Sequence, residues 1–160
     1  MRDAMIAGTT LNTFNNHCER VKMANLAQTI NVLQAVILTD KEKMLLTPTY
    51  HVLEMYKVHQ DAKMIPIHVK SADYKLGDKV LKAISASASM NEDGKVHISL
   101  VNIHATESQE VKVSVRGMDV NNISGRILTA DKLQAHNTFE MPNTVQTKDF
   151  TGIQLSLIHI

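Results

Sequence analysis

The stretch "MNEDGKVHISLVNI", Met90 to Ile103, decides the fold of the second half of the chain. Apolar residues alternate there with His97 and Ser99, the period-two pattern of a half-buried β-strand. The Asp-Gly pair that precedes this strand is a strong signal for a tight hairpin turn. We therefore predict two antiparallel strands that meet at this turn.

The alternation continues further along the chain. "EVKVSVRG", residues 110–117, places a valine at every second position and predicts another strand. With the hairpin, this pattern predicts an antiparallel β-sandwich over residues 63–154. The boundary with the preceding part is expected near "QDAKMIP", residues 60–66.

Residues 1–62 follow a different pattern. An apolar stripe of Ala4, Ala7, Leu11 and Phe14 predicts an amphipathic helix. Residues 21–25 read as a short buried strand. A second helix is predicted to begin after Thr47, a good N-cap, with Pro48 at its first position. Helix, strand and helix are the elements of an α/β layer, but one parallel strand satisfies neither of its edges alone. We therefore interpret residues 1–62 as the end of a larger α/β domain.

The composition is that of a soluble globular protein, with 44% hydrophobic and 21% charged residues among 160. A net charge of +1 argues against a dedicated nucleic-acid-binding protein. No apolar run approaches the roughly 20 residues of a membrane span, and the N-terminus lacks the layout of a signal peptide. The single cysteine, Cys18, suits a reducing compartment, so we expect a cytoplasmic protein.

Three stretches together resemble one enzyme family: "RDAMIAGTTLNTFNNHCERVKMANLAQTINVLQAVILTD", "LLTPTYHVLEMYKVHQDA" and "LQAHNTFEMPNTV". They are similar to the C-terminal part of the α-L-arabinofuranosidases of glycoside hydrolase family 51, from Arg2 to about Thr151. The resemblance implies a TIM (β/α) barrel followed by a jelly-roll-like β-sandwich. Residues 1–62 would be the last helix–strand–helix elements of the barrel. A full barrel takes about 250 residues, so this remnant could not close one.

The activity implied by the resemblance is retaining hydrolysis of terminal α-L-arabinofuranosyl residues in arabinan or arabinoxylan oligosaccharides, a step of L-arabinose metabolism. Retaining hydrolysis needs two carboxyl groups about 5 Å apart. In the family these two carboxyl groups belong to barrel strands further upstream, one in an Asn-Glu context and the other in an Asp-Glu-Trp context. Neither context occurs here. We expect five of the glutamates of this chain to be solvated surface charges, namely Glu19, Glu54, Glu92, Glu107 and Glu110. The chain would then contain no catalytic residue and be inactive alone. The resemblance implies no cofactor or metal, and homo-oligomeric assembly of the intact enzyme.

The segment "ANLAQTIN", Ala24 to Asn31, carries amides where the resemblance places the end of the eighth barrel strand. Amides can hydrogen-bond sugar hydroxyls without adding charge beside the carboxylates. The family glutamine that contacts the arabinofuranosyl unit corresponds to Gln28, which becomes the candidate substrate-binding residue. Asn25 and Asn31 are expected to hold the loop through backbone bonds.

The alternative function is a non-catalytic β-sandwich module that binds carbohydrate or a partner protein, with Tyr74 and Phe139 as stacking residues.

His51, Glu54 and His59 fall near one helical face and could form either a metal site or a packed helix face. Their spacing favours the packed face. A reactive pair of His17 and Cys18 is weighed against a half-buried structural cysteine, which we favour because helix neighbours point apart.

The last six residues, "LSLIHI" at 155–160, read as the translation of a common sequencing-adapter end. We expect them to be an artefact and exclude them from fold prediction. A genuine apolar terminal strand is the alternative.

Overall fold

The computed structural model describes residues 1–155, apart from the side chain of residue 76, so most of the predicted artefact lies outside the described residues. In chain order the elements are α1 (Arg2–Asn16), β1 (Ile37–Asp40), β2 (Lys43–Leu46), α2 (Pro48–Tyr56) with a 3-10 turn (Lys57–His59), β3 (Lys63–Ile65), β4 (Asp73–Leu76), β5 (Lys79–Lys82), β6 (Ile84–Met90), β7 (Val96–Asn102), β8 (Arg126–Leu128) and β9 (Thr147–Asp149).

Small antiparallel sheets make up most of this structure, in agreement with the antiparallel part of the predicted fold. The largest described sheet has the order β3-β6-β7, and β1-β2, β4-β5 and β8-β9 are two-stranded. The predicted hairpin is confirmed, because Met90 pairs with Val96 around the turn. Gly94 in that turn has φ +75°, a left-handed conformation that glycine adopts without steric cost.

Both predicted helices are confirmed, although α1 is rotated from the expected face. Its buried row is Ala4, Gly8 and Asn12, of which only Ala4 belongs to the predicted apolar stripe; the rest of that stripe is half-buried. A Cβ on Gly8 would lie 2.9 Å from Cγ2 of Val101, so the glycine allows α1 to approach β7 closely. Thr47 precedes α2 as predicted, but its hydroxyl donates to the carbonyl of Ala35 at 3.0 Å and does not cap the helix.

Two predicted strands are wrong. Residues 21–25 and 110–117 are irregular backbone. Met23 is 76% exposed and Val113 50% exposed, and Val21 and Val115 are only half-buried, so neither segment buries its apolar side chains as a core strand would. A strand needs a partner edge as well as a suitable local pattern, and the part of the chain that the structure describes offers these segments none. The described residues therefore do not show the predicted helix–strand–helix unit of a barrel.

Two contacts join distant parts of the chain. Helix α1 packs on β6 and β7, so the predicted units 1–62 and 63–154 share an interface, and their division stays a prediction. Asn137 is buried and ties three segments together. Its amide donates to the carbonyls of Leu46 and Val145 at 2.7 and 2.9 Å, and its carbonyl accepts from the Val145 N–H at 2.7 Å.

Candidate functional site

The predicted substrate-binding residue lies in an irregular segment, Ala24 to Gln34, which we call the amide loop. Gln28 is exposed, and its side chain forms no hydrogen bond with any residue from 1 to 155. The amide group is therefore free to bind a ligand. Nothing in the fold itself accounts for a glutamine at this position.

The backbone of the amide loop takes an unusual conformation at three amide residues. Gln28 and Asn31 both have φ +54°, and Gln34 has φ +67°. Left-handed backbone costs a non-glycine residue about 1–2 kcal/mol, although asparagine tolerates it better than glutamine. Such strain persists only where surrounding contacts fix the chain, and it clusters at functional sites.

Those surrounding contacts come from β1. The side-chain amide of Asn31 donates to the hydroxyl of Thr39 at 2.8 Å and accepts from the Thr39 N–H at 2.8 Å. The carbonyl of Thr29 accepts from the N–H groups of Val36 and Ile37. Asn31 thus holds the loop as predicted. Asn25 does not, because it is exposed and makes no side-chain bond within the described chain.

A cleft of about 230 Å³ lies beside the amide loop. Its polar walls include Gln34, Thr49, His136 and Asn137, at the junction of the loop, the start of α2 and the C-terminal segment. Gln28 does not line it. Among the amides of the amide loop, Gln34 lines this cleft and Gln28 does not, so the role of Gln28 stays a prediction.

Apolar residues lie between the amide residues of the loop, and their side chains face solvent. The most exposed is Leu33 at 90%, and Leu26 and Ile30 are also exposed. An isolated exposed leucine needs no explanation, but several on one short segment indicate a surface that another structure covers.

The most extensive polar cluster in the described chain lies elsewhere, between the helices and β6. Ser85, Ser87 and Ser89 form a serine stripe on one face of β6, because side chains alternate along a strand. Asn12, fully buried, accepts from the hydroxyls of Tyr56 and Ser87 at 2.8 Å each and donates to Ser85 at 3.2 Å. The sequence analysis missed this cluster. The signal for it is serine at every second position of a strand whose other positions are Ile84, Ala86 and Ala88.

His59 is bound at both ring nitrogens. Nδ1 lies 2.7 Å from Oγ of Ser89, and Nε2 lies 2.7 Å from Oγ of Ser99. Burial, and secondarily the charge of His97, lower the pKa of His59. Because neither nitrogen is free for a metal, the packed helix face explains this histidine better than a metal site does.

Four of the five glutamates expected to be solvated surface charges are exposed. Glu19 and Glu107 are exposed and lie near histidines on their own segments, while Glu92 and Glu110 are exposed. Glu54 departs from the expected solvated charge. It is 28% exposed and binds Nη1 of Arg126 at 2.9 Å, which joins α2 to β8.

The remaining candidates are accounted for by packing. The ring of Tyr74 lies 4.7 Å from that of His104, centroid to centroid, so part of its surface is already covered. Phe139 is half-buried. Cys18 is half-buried as expected, and the ring of His17 lies 3.7 Å from the carboxylate of Glu19. No helix within residues 1–155 is both long enough and apolar enough to cross a bilayer.

Comparison with known proteins supplies the context for this geometry. The family model for the alpha-L-arabinofuranosidase C-terminal domain matches residues 1–158. An intracellular exo-alpha-L-arabinofuranosidase of Bacteroides ovatus is 43% identical over 157 residues, which cover 98% of this chain and 30% of the relative. A probable alpha-L-arabinofuranosidase C of Aspergillus niger is 28% identical over 145 residues, which cover 86% of this chain and 28% of the relative.

Solved structures agree in fold. The GH51 arabinofuranosidase of Xanthomonas axonopodis pv. citri superposes with a TM-score of 0.91 at 44% identity, over 95% of this chain and 31% of that one. The alpha-L-arabinofuranosidase of Thermotoga maritima, solved as an arabinose complex, gives 0.74 at 27% identity, over 92% and 33%. The chain thus spans about a third of the length of the proteins it matches.

Proposed function

Because the chain belongs to the family of alpha-L-arabinofuranosidase C-terminal domains, we propose that it is the C-terminal part of a retaining α-L-arabinofuranosidase. The longer protein would remove terminal α-L-arabinofuranosyl residues from arabinan or arabinoxylan oligosaccharides. The single observation that carries this proposal is the 43% identity to the Bacteroides ovatus enzyme over 98% of the chain.

In this proposal, the amide loop and the two helices complete the wall of a TIM barrel formed mainly by the rest of the longer protein. The exposed Met23 and Leu33 support it, since a covering domain would remove these side chains from water. Pairing with a neighbouring barrel strand would also supply residues 21–25 with the edge they lack. Residues 63–154 would form the bracing jelly-roll-like sandwich.

Gln28 would bind the sugar. Its exposed amide and its left-handed backbone support this role, because the bonds between Asn31 and Thr39 hold the loop that carries it. An amide can both donate to and accept from sugar hydroxyls. The catalytic carboxylates would lie outside this chain, and no cofactor is invoked.

The proposal also places the protein in the cytoplasm and assembles the longer protein as a homo-oligomer. The free thiol of Cys18 and the word "intracellular" in the name of the Bacteroides ovatus relative support the location. The oligomeric assembly rests on the family resemblance, and light scattering of the longer protein would test it.

A chimera tests the proposed function. This chain replaces the matching part of the Bacteroides ovatus relative, and hydrolysis of a chromogenic α-L-arabinofuranoside is measured. We expect the chimera to be active and the 160-residue chain to be inactive at the same concentration. Activity of the isolated chain would refute the absence of the catalytic pair. A folded but inactive chimera would refute the structural role.

A further inference from the structure

The ring of His59 joins three elements at one point. It follows α2 in the 3-10 turn, and its two nitrogens contact Ser89 on β6 and Ser99 on β7. Strands β6 and β7 are hydrogen-bonded neighbours. The ring therefore attaches the end of α2 to two adjacent strands of the β6–β7 ladder at once. Ser89 is only 3% exposed, so water replaces these bonds poorly.

Both protonation states of the ring can keep these hydrogen bonds. A neutral imidazole donates through one nitrogen and accepts through the other, and serine hydroxyls do either. A protonated ring donates through both, so one serine hydroxyl only has to rotate. Protonation therefore costs no hydrogen bond, but it places a positive charge in a half-buried position.

No carboxylate within the described residues forms an ion pair with the ring, since both of its nitrogens contact serine hydroxyls. Strand β6 carries no ionisable residue, and β7 contributes only His97. From α2 the ring of Tyr56 lies 5.5 Å away, centroid to centroid, and the carboxylate of Glu54 is bound by Arg126. The other ionisable residues close in sequence are Lys57, which lies 3.7 Å from Glu54, Asp61 and Lys63, and the charge that lowers the pKa of His59 is that of His97. The charges around the ring thus disfavour its protonated form.

We propose that His59 is an acid-sensitive latch that holds the end of α2 on the β6–β7 ladder firmly at neutral pH and less firmly in mild acid. Tyr56, at the end of α2, connects the latch to α1 through its bond to Asn12, so weakening of the latch also loosens the contact between the helices. This device is independent of the proposed glycosidase activity, because it needs only residues of this chain.

The direction of the pH dependence follows from the pKa of His59. Burial lowers it in the folded chain below the 6.5 of a free histidine. As pH falls through 6.5, the unfolded or detached state binds the proton first. The latch therefore contributes its full stabilisation above pH 6.5. This stabilisation decreases as the pH falls from 6.5 toward the pKa of His59 in the folded chain.

Two measurements on the 160-residue chain test the latch. In the first, NMR follows the ring signals of His59 and the exchange of the Gln60 amide, which bonds to the carbonyl of Lys57 at 3.1 Å. We expect a titration midpoint below 6.5 and a protection factor that falls by up to about tenfold per pH unit, the limit for one proton. A midpoint at or above 6.5, or constant protection, would overturn the proposal.

In the second, the melting temperature is followed from pH 8 to pH 5. His59→Gln should lower the melting temperature at pH 8 and flatten its fall in acid. His68→Gln is the matched control, because His68 is exposed, and it should keep the original pH slope. An unchanged slope in His59→Gln would contradict the latch. If this variant fails to fold, the NMR titration of the unmodified chain decides alone.

Discussion

The hydroxyl of Tyr56 donates to Oδ1 of Asn12 at 2.8 Å, and this bond joins the two helices inside the protein. The same oxygen accepts from Ser87, so one amide connects α1, α2 and β6. Truncation of Asn12 would leave the buried hydroxyl of Ser87 without its acceptor, while the half-buried hydroxyl of Tyr56 would keep only the carbonyl of Gly8 at 3.0 Å.

We therefore expect Asn12→Ala to lower the free energy of unfolding by about 2–4 kcal/mol. Urea denaturation followed by circular dichroism measures this change. Asn15→Ala is the control, because Asn15 makes one bond to Ser87 at 3.0 Å and is only half-buried. Its loss should stay near 1 kcal/mol, the net value of a single hydrogen bond. Equal losses in the two variants would contradict the connecting role of Asn12.

The contact of Gly8 with Val101 gives a second prediction. Gly8→Ala inserts a methyl group 2.9 Å from Cγ2 of Val101, which is too close for a real contact. We expect a loss of about 1–3 kcal/mol, although alanine otherwise favours a helix. The double variant with Val101→Ala should recover part of this loss, as measured in a double-mutant cycle. Strictly additive losses would show that the two side chains do not meet.

The ion pair between Glu54 and Arg126 is partly buried, with an N–O distance of 2.9 Å. A double-mutant cycle with Glu54→Gln and Arg126→Gln should give a coupling of about 0.5–1 kcal/mol, reduced at high salt. The Lys82–Asp73 pair is the control, since it connects adjacent strands β4 and β5 at a more exposed position. The Glu54 coupling should exceed it. A larger coupling in the Lys82–Asp73 pair would mean that partial burial does not strengthen the Glu54–Arg126 pair.

The left-handed backbone of the amide loop allows effects on stability and on activity to be measured separately. Gln28→Gly removes the steric cost of φ +54° and should raise the free energy of unfolding by up to about 1 kcal/mol. Gln34→Gly should do the same at φ +67°. If Gln28 binds substrate, its glycine variant will be more stable and less active in the chimera. Destabilisation by Gln28→Gly would show that the side chain is structural.

Local patterns predicted the elements whose partners are close in the chain. The β6–β7 hairpin has its turn encoded between its strands, and α2 has its proline and N-cap residue in place. Residues 21–25 and 110–117 have equally suitable patterns but remain irregular, because a strand also requires an edge that sequence alone does not place. The buried face of α1 also depends on partners that are distant in the chain. The polar Asn12 faces inward because the serine stripe of β6 provides partners about 70 residues away.

The site was predictable only in part. The residue type and loop position of Gln28 follow from the family resemblance, and the structure leaves its amide free. The positive φ values of Gln28, Asn31 and Gln34 had no sequence signal, since none of them is glycine. They arise from the bonds between the loop and β1.

The most direct measurement is kcat/KM of the chimera for an arabinofuranoside, with Gln28→Ala beside Gln146→Ala, an exposed glutamine on the C-terminal segment. Loss of a neutral sugar hydrogen bond worth about 0.5–1.5 kcal/mol predicts a decrease of roughly 2- to 13-fold for Gln28→Ala and none for the control. Equal activity of the two variants would contradict a role for this chain in holding the sugar.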